Sequence, residues 1–328
     1  MKRWVWLLLF VITVGVSLLG WTQHQGRSLL QGQAAHSEQA SVTGPTNIIA
    51  PTIDPQRLLA DVEALSFQRY DQLSRDRARG YIAQALQSAG WVPQTQSFAD
   101  EGKDGINIYA KRPGTDAAAG TLLLAAHYDT VEQSPGADDN ATSVATILEA
   151  ARLLGQQSTP RSLQIVLFDQ EETGLLGSKA FAADVDAEDL RGAIIMDMIG
   201  YACYIEGCQS YPPLPIKPPT DRGDFLAIIG DQAHPFLIDS FVQARQPEQP
   251  QVFSLAIPTF GRLTPDLVRS DHVPFWRRGI AAVLVTDTAN FRNPNYHQPT
   301  DTPNNLDQEF FLGAAQLVVN ATAALLEN

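Results

Sequence analysis

The chain has 328 residues, with 23 Lys and Arg against 36 Asp and Glu, a formal charge of −13, and 44% apolar against 18% charged residues. That composition is too apolar and too poor in charge for a disordered chain. Its acidic balance excludes a nucleic-acid partner, which needs a basic footprint. The two cysteines exclude a multi-disulfide scaffold and a cysteine-rich zinc module.

Lys2 and Arg3 precede an apolar run from Trp4 to Trp21, and the next charged residue is Arg27. Residues 1–21 therefore read as a signal peptide or an uncleaved N-terminal membrane anchor. The charges ahead of the run place the rest of the chain outside the cytoplasm, periplasmic or secreted. Residues 22–54 are rich in Gln, Ser, Thr and Ala and form the expected flexible linker. Residues 55–328 are then one folded domain.

Within that domain, Ala78, Tyr81, Ile82, Ala85, Leu86 and Ala89 share one helical face, and Gly90 stops the helix. Edge strands are expected around Trp91–Phe98 and Ile106–Lys111. Thr121–Ala126 is a short continuous apolar run, the mark of a strand buried on both faces. A helix follows over Ala141–Gly155, then strand Leu163–Phe168, a helix near Leu175–Ala183, and strands Ala193–Met196 and Phe225–Gly230. Helix Pro235–Ala244, strand Ala281–Val285 and a closing helix Leu306–Leu326 complete the pattern. Buried strands alternating with helices predict an α/β three-layer sandwich with a mostly parallel central sheet. In such sheets the chemistry lies beyond the carboxyl ends of the strands.

The polar residues fall in that place. Strand 121–126 runs into His127-Tyr-Asp129, and Gly136-Ala-Asp138-Asp139-Asn140 stands just ahead of a helix. Strand 163–168 ends in Asp169-Gln-Glu171-Glu172, strand 193–196 in Asp197, and the loop after strand 281–285 carries Tyr296-His297. A lone His-x-Asp or Glu-Glu is usually a solvated surface pair. Five such groups at one sheet edge, in a chain with little charge, point instead to a site. Imidazole and carboxylate donors without thiolate suit a catalytic zinc. Two histidines and three carboxylates exceed one tetrahedral ion's needs and suit two ions sharing a bridging carboxylate.

The ordered set His127-Tyr-Asp129, Gly136-Ala-Asp138-Asp139-Asn140, Glu171-Glu172-Thr-Gly174-Leu-Leu-Gly177-Ser178, Asp197-Met-Ile-Gly200-Tyr201 and Tyr296-His297 resembles the M28 zinc peptidases over about residues 75–327. The resemblance implies a phosphorylase/hydrolase-like exopeptidase fold holding two zinc ions per chain. It implies that Asp138 bridges the ions, with His127 and Asp197 completing one site and Glu172 and His297 the other. Glu171 is then the general base, Asp129 orients His127, and a cis peptide is expected between Asp138 and Asp139.

His272, in the short helical stretch Ser270-Asp271-His272-Val-Pro-Phe275, is the rival metal ligand, and the resemblance puts Asp271 behind the site. The same stretch is similar to glutaminyl cyclases, which use one zinc. Cys203 and Cys208 are expected to close a small loop by a disulfide in an exported protein. The expected function is an aminopeptidase removing N-terminal residues from peptides. The alternatives are a glutaminyl-peptide cyclase, a carboxypeptidase holding a terminal carboxylate on Arg262, Arg269, Arg277 or Arg278, and a non-catalytic binding ectodomain.

Overall fold

The computed structural model describes residues 50–100, 102–213, 218, 220–258 and 265–328. The leader expected over 1–21, and most of the linker expected over 22–54, lie outside the described residues. Residues 50–54 are docked on the domain. Ile53 is buried and its amide donates to Gln316 Oε1 (3.0 Å), while Gln316 Nε2 donates back to Pro51 O.

One eight-stranded sheet organises the domain. Its strands are β1 (Gln94–Asp100), β2 (Lys103–Arg112), β3 (Thr121–His127), β4 (Ser162–Phe168), β5 (Leu190–Met196), β6 (Phe225–Asp231), β7 (Gln251–Ile257) and β8 (Ala282–Thr286), in the order β1-β2-β4-β3-β5-β8-β6-β7. The central four, β4-β3-β5-β8, are parallel. Antiparallel pairings at β2–β4 and β6–β8 flank them. β3 and β8 are buried along their whole length, which is why they appear in the sequence as unbroken apolar runs.

Alternate residues of β3 serve two separate cores, because successive side chains leave opposite faces of a strand. Leu122, Leu124 and Ala126 pack with helices α1 (Pro55–Leu65), α2 (Gln72–Ser88), α3 (Ser143–Leu154), α5 (Pro235–Ala244) and α7 (Gln308–Glu327). Leu123 and Ala125 pack with α4 (Leu176–Asp184) and α6 (His272–Arg277) on the other face. The three-layer α/β sandwich is thus present. Capping explains the helix starts. Asp54 accepts from the amides of Gln56 and Arg57 ahead of Pro55, Asp71 accepts from Ser74, and Asp307 accepts from Phe310. α7 is long and apolar enough to cross a membrane, but most of it is buried in the first core.

Two elements were absent from the sequence reading. α1 buries Leu58, Val62 and Leu65 against α3 and its approach. β7 is an edge strand with an exposed face, adding a fourth parallel pairing to β6.

Candidate metal centre

Three parallel strands end side by side, and each delivers donors at the carboxyl edge: His127 closes β3, Glu171 and Glu172 follow β4, and Asp197 follows β5. The turn before α3 adds Asp139, and the loop after β8 adds His297. These side chains form two groups of three that could each hold a metal ion, His127–Asp139–Asp197 and Asp139–Glu172–His297. Asp139 belongs to both. Its Oδ1 lies 3.3 Å from His127 Nε2 and its Oδ2 lies 3.2 Å from His297 Nε2. Asp197 Oδ1 is 3.6 Å from His127 Nε2, and Glu172 Oε2 is 3.0 Å from His297 Nε2.

The shared carboxylate is Asp139, not Asp138, and this corrects the sequence assignment. Gly136, at φ +64°, turns the chain, and a Cβ there would meet Asp139 O at 2.4 Å. Asp138 then points away from the histidines into the protein. Its Oδ1 accepts from Gly200 N and its Oδ2 from Asn293 Nδ2, both at 2.8 Å, and Thr142 Oγ1 stands 3.3 Å from Oδ1. Gly200 is required at that contact, since a Cβ would meet Thr142 Cγ2 at 2.6 Å and Asp138 Oδ1 at 2.9 Å. Asp139 and Asn140 leave helical geometry (φ −104°, ψ 82° and φ −137°, ψ 39°), which swings Asp139 toward the two imidazoles. The cis peptide likewise joins Asp139 to Asn140, one bond later than expected.

A buried frame holds the donor loops. The Asp301 carboxylate accepts from the amides of Asp138 (2.8 Å) and Asp139 (3.1 Å). The Asp129 carboxylate accepts from the amides of Glu171 (3.0 Å) and Glu172 (3.2 Å), and its Oδ1 is 3.5 Å from His127 Nδ1. Asp129 thus reaches the histidine it was expected to orient and ties down the glutamate pair as well. Arg69, fully buried, donates to the carbonyls of Leu65, Phe67, Tyr128, Pro135 and Gly136. Six non-glycine residues in the segments after β4, β5 and β8 sit in the left-handed region: Gln170, Leu175, Met198, Thr288, Ala289 and His297. Such conformations persist where the surroundings over-determine them, and they cluster at functional sites.

The electrostatics fit a bound cation. Burial would lower both imidazoles. Hydrogen bonds donated by its ring to Asp129, Asp139 and Asp197 nevertheless raise His127 well above its ordinary value, and Asp139 and Glu172 raise His297 to about 10. Asp139 is buried, yet the same two histidines hold it below the usual carboxylate range. Positive charge is therefore favoured on both sides of Asp139, where metal would replace protons. Burial, reinforced by the Asp139 charge, lifts Glu172 to about 7, and its buried Oε1 has no hydrogen-bond partner among the described residues. Glu171, on the cavity wall, is raised well above its ordinary value by desolvation, with Asp197, Asp271 and Glu172 adding to the shift.

The remaining candidates separate cleanly. His272 lies outside both donor groups, with Nε2 bonded to Leu267 O (3.0 Å) and its ring edge-on to Trp276. Asp271 is fully buried, close enough to Glu171 for its charge to be felt. His234 pairs with Asp231 at the start of α5. Tyr296 stacks on His297 with ring centres 3.8 Å apart. Cys203 and Cys208 are joined by a disulfide. Sequence reasoning missed the roles of Arg69, Asn293 and Asp301. Of these, only Asp301 lies close in sequence to a candidate donor, four residues after His297.

Comparison with known proteins identifies the family. Peptidase family M28 matches residues 107–322. An uncharacterized Escherichia coli (strain K12) protein, YfbL, is 32% identical over 77% of this chain and 80% of its own length. Aminopeptidase YwaD of Bacillus subtilis (strain 168) is 27% identical over 71% of this chain, and the chain spans only 46% of that relative. Among solved structures, BSAP, a zinc aminopeptidase from Bacillus subtilis, superposes with a TM-score of 0.66 at 14% identity, covering 84% of this chain and 96% of that one. Glutaminyl cyclases share the fold too. The chain belongs to peptidase family M28 and is a metallopeptidase, a hydrolase.

Proposed function

We infer that the protein is a zinc-dependent aminopeptidase that binds two zinc ions per chain and releases N-terminal residues from peptides outside the cytoplasm. One observation carries the reading: Asp139 presents one oxygen to His127 and the other to His297, so two three-donor groups share a carboxylate. His127, Asp139 and Asp197 would hold one ion, and Asp139, Glu172 and His297 the other. Imidazole and carboxylate donors suit zinc, which when bound polarises a scissile carbonyl and acidifies water.

The chain's own groups supply the rest. Glu171 faces the cavity beside the donors, while its neighbour Glu172 turns toward His297. Asp129 fixes that division by holding both glutamate amides. The raised proton affinity of Glu171 suits a base that takes a proton from the attacking water and returns it to the leaving amine. A cavity of about 470 Å³ runs from the donors over an apolar floor that includes Ala227, Ile229, Leu255 and Leu284, room for an apolar side chain. The Cys203–Cys208 disulfide supports an oxidising, extracytoplasmic location. Membrane attachment would run through the N-terminal segment.

The test is elemental analysis of the purified full chain, with release of free amino acids from a peptide panel. Two zinc ions and N-terminal release are expected. Glu171→Gln should keep zinc and lose about 10²–10⁴-fold in kcat. Near-normal turnover of that variant would remove Glu171 as the base. One zinc, no hydrolysis and loss of the free amine of N-terminal glutamine peptides would move the protein to cyclase chemistry.

A further inference from the structure

The outer cavity reverses the charge of the molecule. The chain carries 36 acidic and 23 basic residues, yet beyond the donor cluster and Glu171 the described cavity wall holds Lys179, Arg269 and Arg277 against one carboxylate, Asp266. Of the arginines able to hold a substrate carboxylate, Arg278 is committed elsewhere. Its guanidinium donates to the carbonyls of Ala182, Ala183 and Val185 at the end of α4. Arg262 lies outside the described residues.

Arg269 is the cation nearest the chemistry for which a contact places it. Its Nη2 is 3.5 Å from Tyr296 Oη, and the Tyr296 ring stacks on His297, a metal donor. One aromatic side chain therefore separates the guanidinium from the reacting centre. Nη1 reaches Asn290 Oδ1 at 3.3 Å, and the ion contact with Asp266 is long, 3.8 Å, between half-exposed side chains. Long, solvated contacts of this kind hold a guanidinium weakly. Several of its five N–H donors remain for a ligand, in a fork that matches a carboxylate.

We propose that Arg269 receives a carboxylate carried by the residue that follows the scissile bond, making dipeptides the preferred substrates. The inference rests on the aminopeptidase reading above. A residue advances the chain by about 3.8 Å, so a substrate whose carbonyl is held at the donor cluster and whose chain runs past Tyr296 would bring the next residue's carboxylate toward Arg269. In a longer peptide that carbon bears an amide and the ion pair is lost. An acidic side chain on the same residue offers the same chemistry from a second source.

The experiment uses the full zinc-loaded chain and four substrates: leucyl-leucine, leucyl-leucinamide, leucyl-glutamic acid α-amide and leucyl-glutaminamide. A carboxylate bonded to arginine is expected to favour the free dipeptide over its amide by roughly 10- to 100-fold in kcat/KM, expressed in KM. Arg269→Gln should bring that ratio close to one with zinc content intact, and Arg269→Lys should restore part of it. Preference for the glutamyl over the glutaminyl amide, also lost in Arg269→Gln, would assign the carboxylate to the side chain. Equal rates within both wild-type pairs overturn the inference and leave the aminopeptidase reading standing. So does an Arg269→Gln variant that keeps the wild-type ratio. If the loaded wild type cleaves none of the four, both readings fall.

Discussion

Replacing each of the two adjacent aspartates separately decides which is the shared donor. In Asp139→Asn a neutral amide stands where one oxygen faced His127 and the other His297. An amide has a single acceptor oxygen, so it cannot serve both groups, and zinc should be lost from at least one site and weakened at the other. In Asp138→Asn the amide oxygen can still accept from Gly200 N, while its NH2 now opposes the Asn293 amide. One buried hydrogen bond is broken, costing about 1–3 kcal/mol. Asp138→Ala breaks both and should cost about 2–6 kcal/mol. Because Asp138 supports the donor loops without touching a histidine, Asp138→Asn should weaken zinc binding only by about 10- to 100-fold. Urea unfolding measures the stability terms, and elemental analysis after dialysis against a zinc buffer measures the metal. Two zinc ions retained by Asp139→Asn, with both lost from a folded Asp138→Asn, would refute the geometry and restore Asp138 as the bridge.

Two further predictions concern the frame. Burial holds the His272 imidazole neutral down to about pH 4. The unfolded chain therefore binds a proton the folded one refuses between about pH 6.5 and 4, and stability should fall with pH across that window by up to about 3 kcal/mol. Comparing urea midpoints at pH 7 and pH 5 should show a smaller drop in His272→Gln than in the wild type, and equal drops would contradict it. Arg69 serves five carbonyls, and the charges of Asp301, Asp139, Asp129 and Glu172 oppose the lowering that burial imposes on it. A lysine with three donors leaves at least two carbonyls unsatisfied, so Arg69→Lys should lose about 2–6 kcal/mol in urea unfolding. Unchanged stability would show that the carbonyls find other partners.

What the sequence disclosed follows from the range of the forces involved. β3, β8 and the later parts of β4 (Ile165–Phe168) and β5 (Gly192–Met196) were legible because burial on both faces leaves a continuous apolar run that no neighbour need explain. The donor types were legible because they stand at the ends of those strands, where topology brings loops together. α1 carried a usable signal that went unread: Asp54 ahead of Pro55, with Leu58, Val62 and Leu65 at helical spacing. β7, exposed on one face at the edge of the sheet, carried a weaker alternation.

The choice between Asp138 and Asp139 is of another kind. Both are acidic, both are buried, and both lie at the right distance along the chain from His127. What separates them is a carboxylate more than 160 residues away, Asp301, which catches the two amides and fixes how the turn is rotated. Asn293 and Gly200 then offer Asp138 a place to face inward. A one-residue shift along a turn moves a side chain from the reacting centre into its support, and no local pattern records the difference. Arg69 makes the same point from the other side. Nothing about Phe67-Gln68-Arg69-Tyr70 marks a buried cation, yet its five carbonyl partners include the two just ahead of the Asp138–Asp139 turn. Chemistry repeated at several strand ends survives in the sequence. The hydrogen bonds that aim it are single long-range contacts, and only the folded chain displays them.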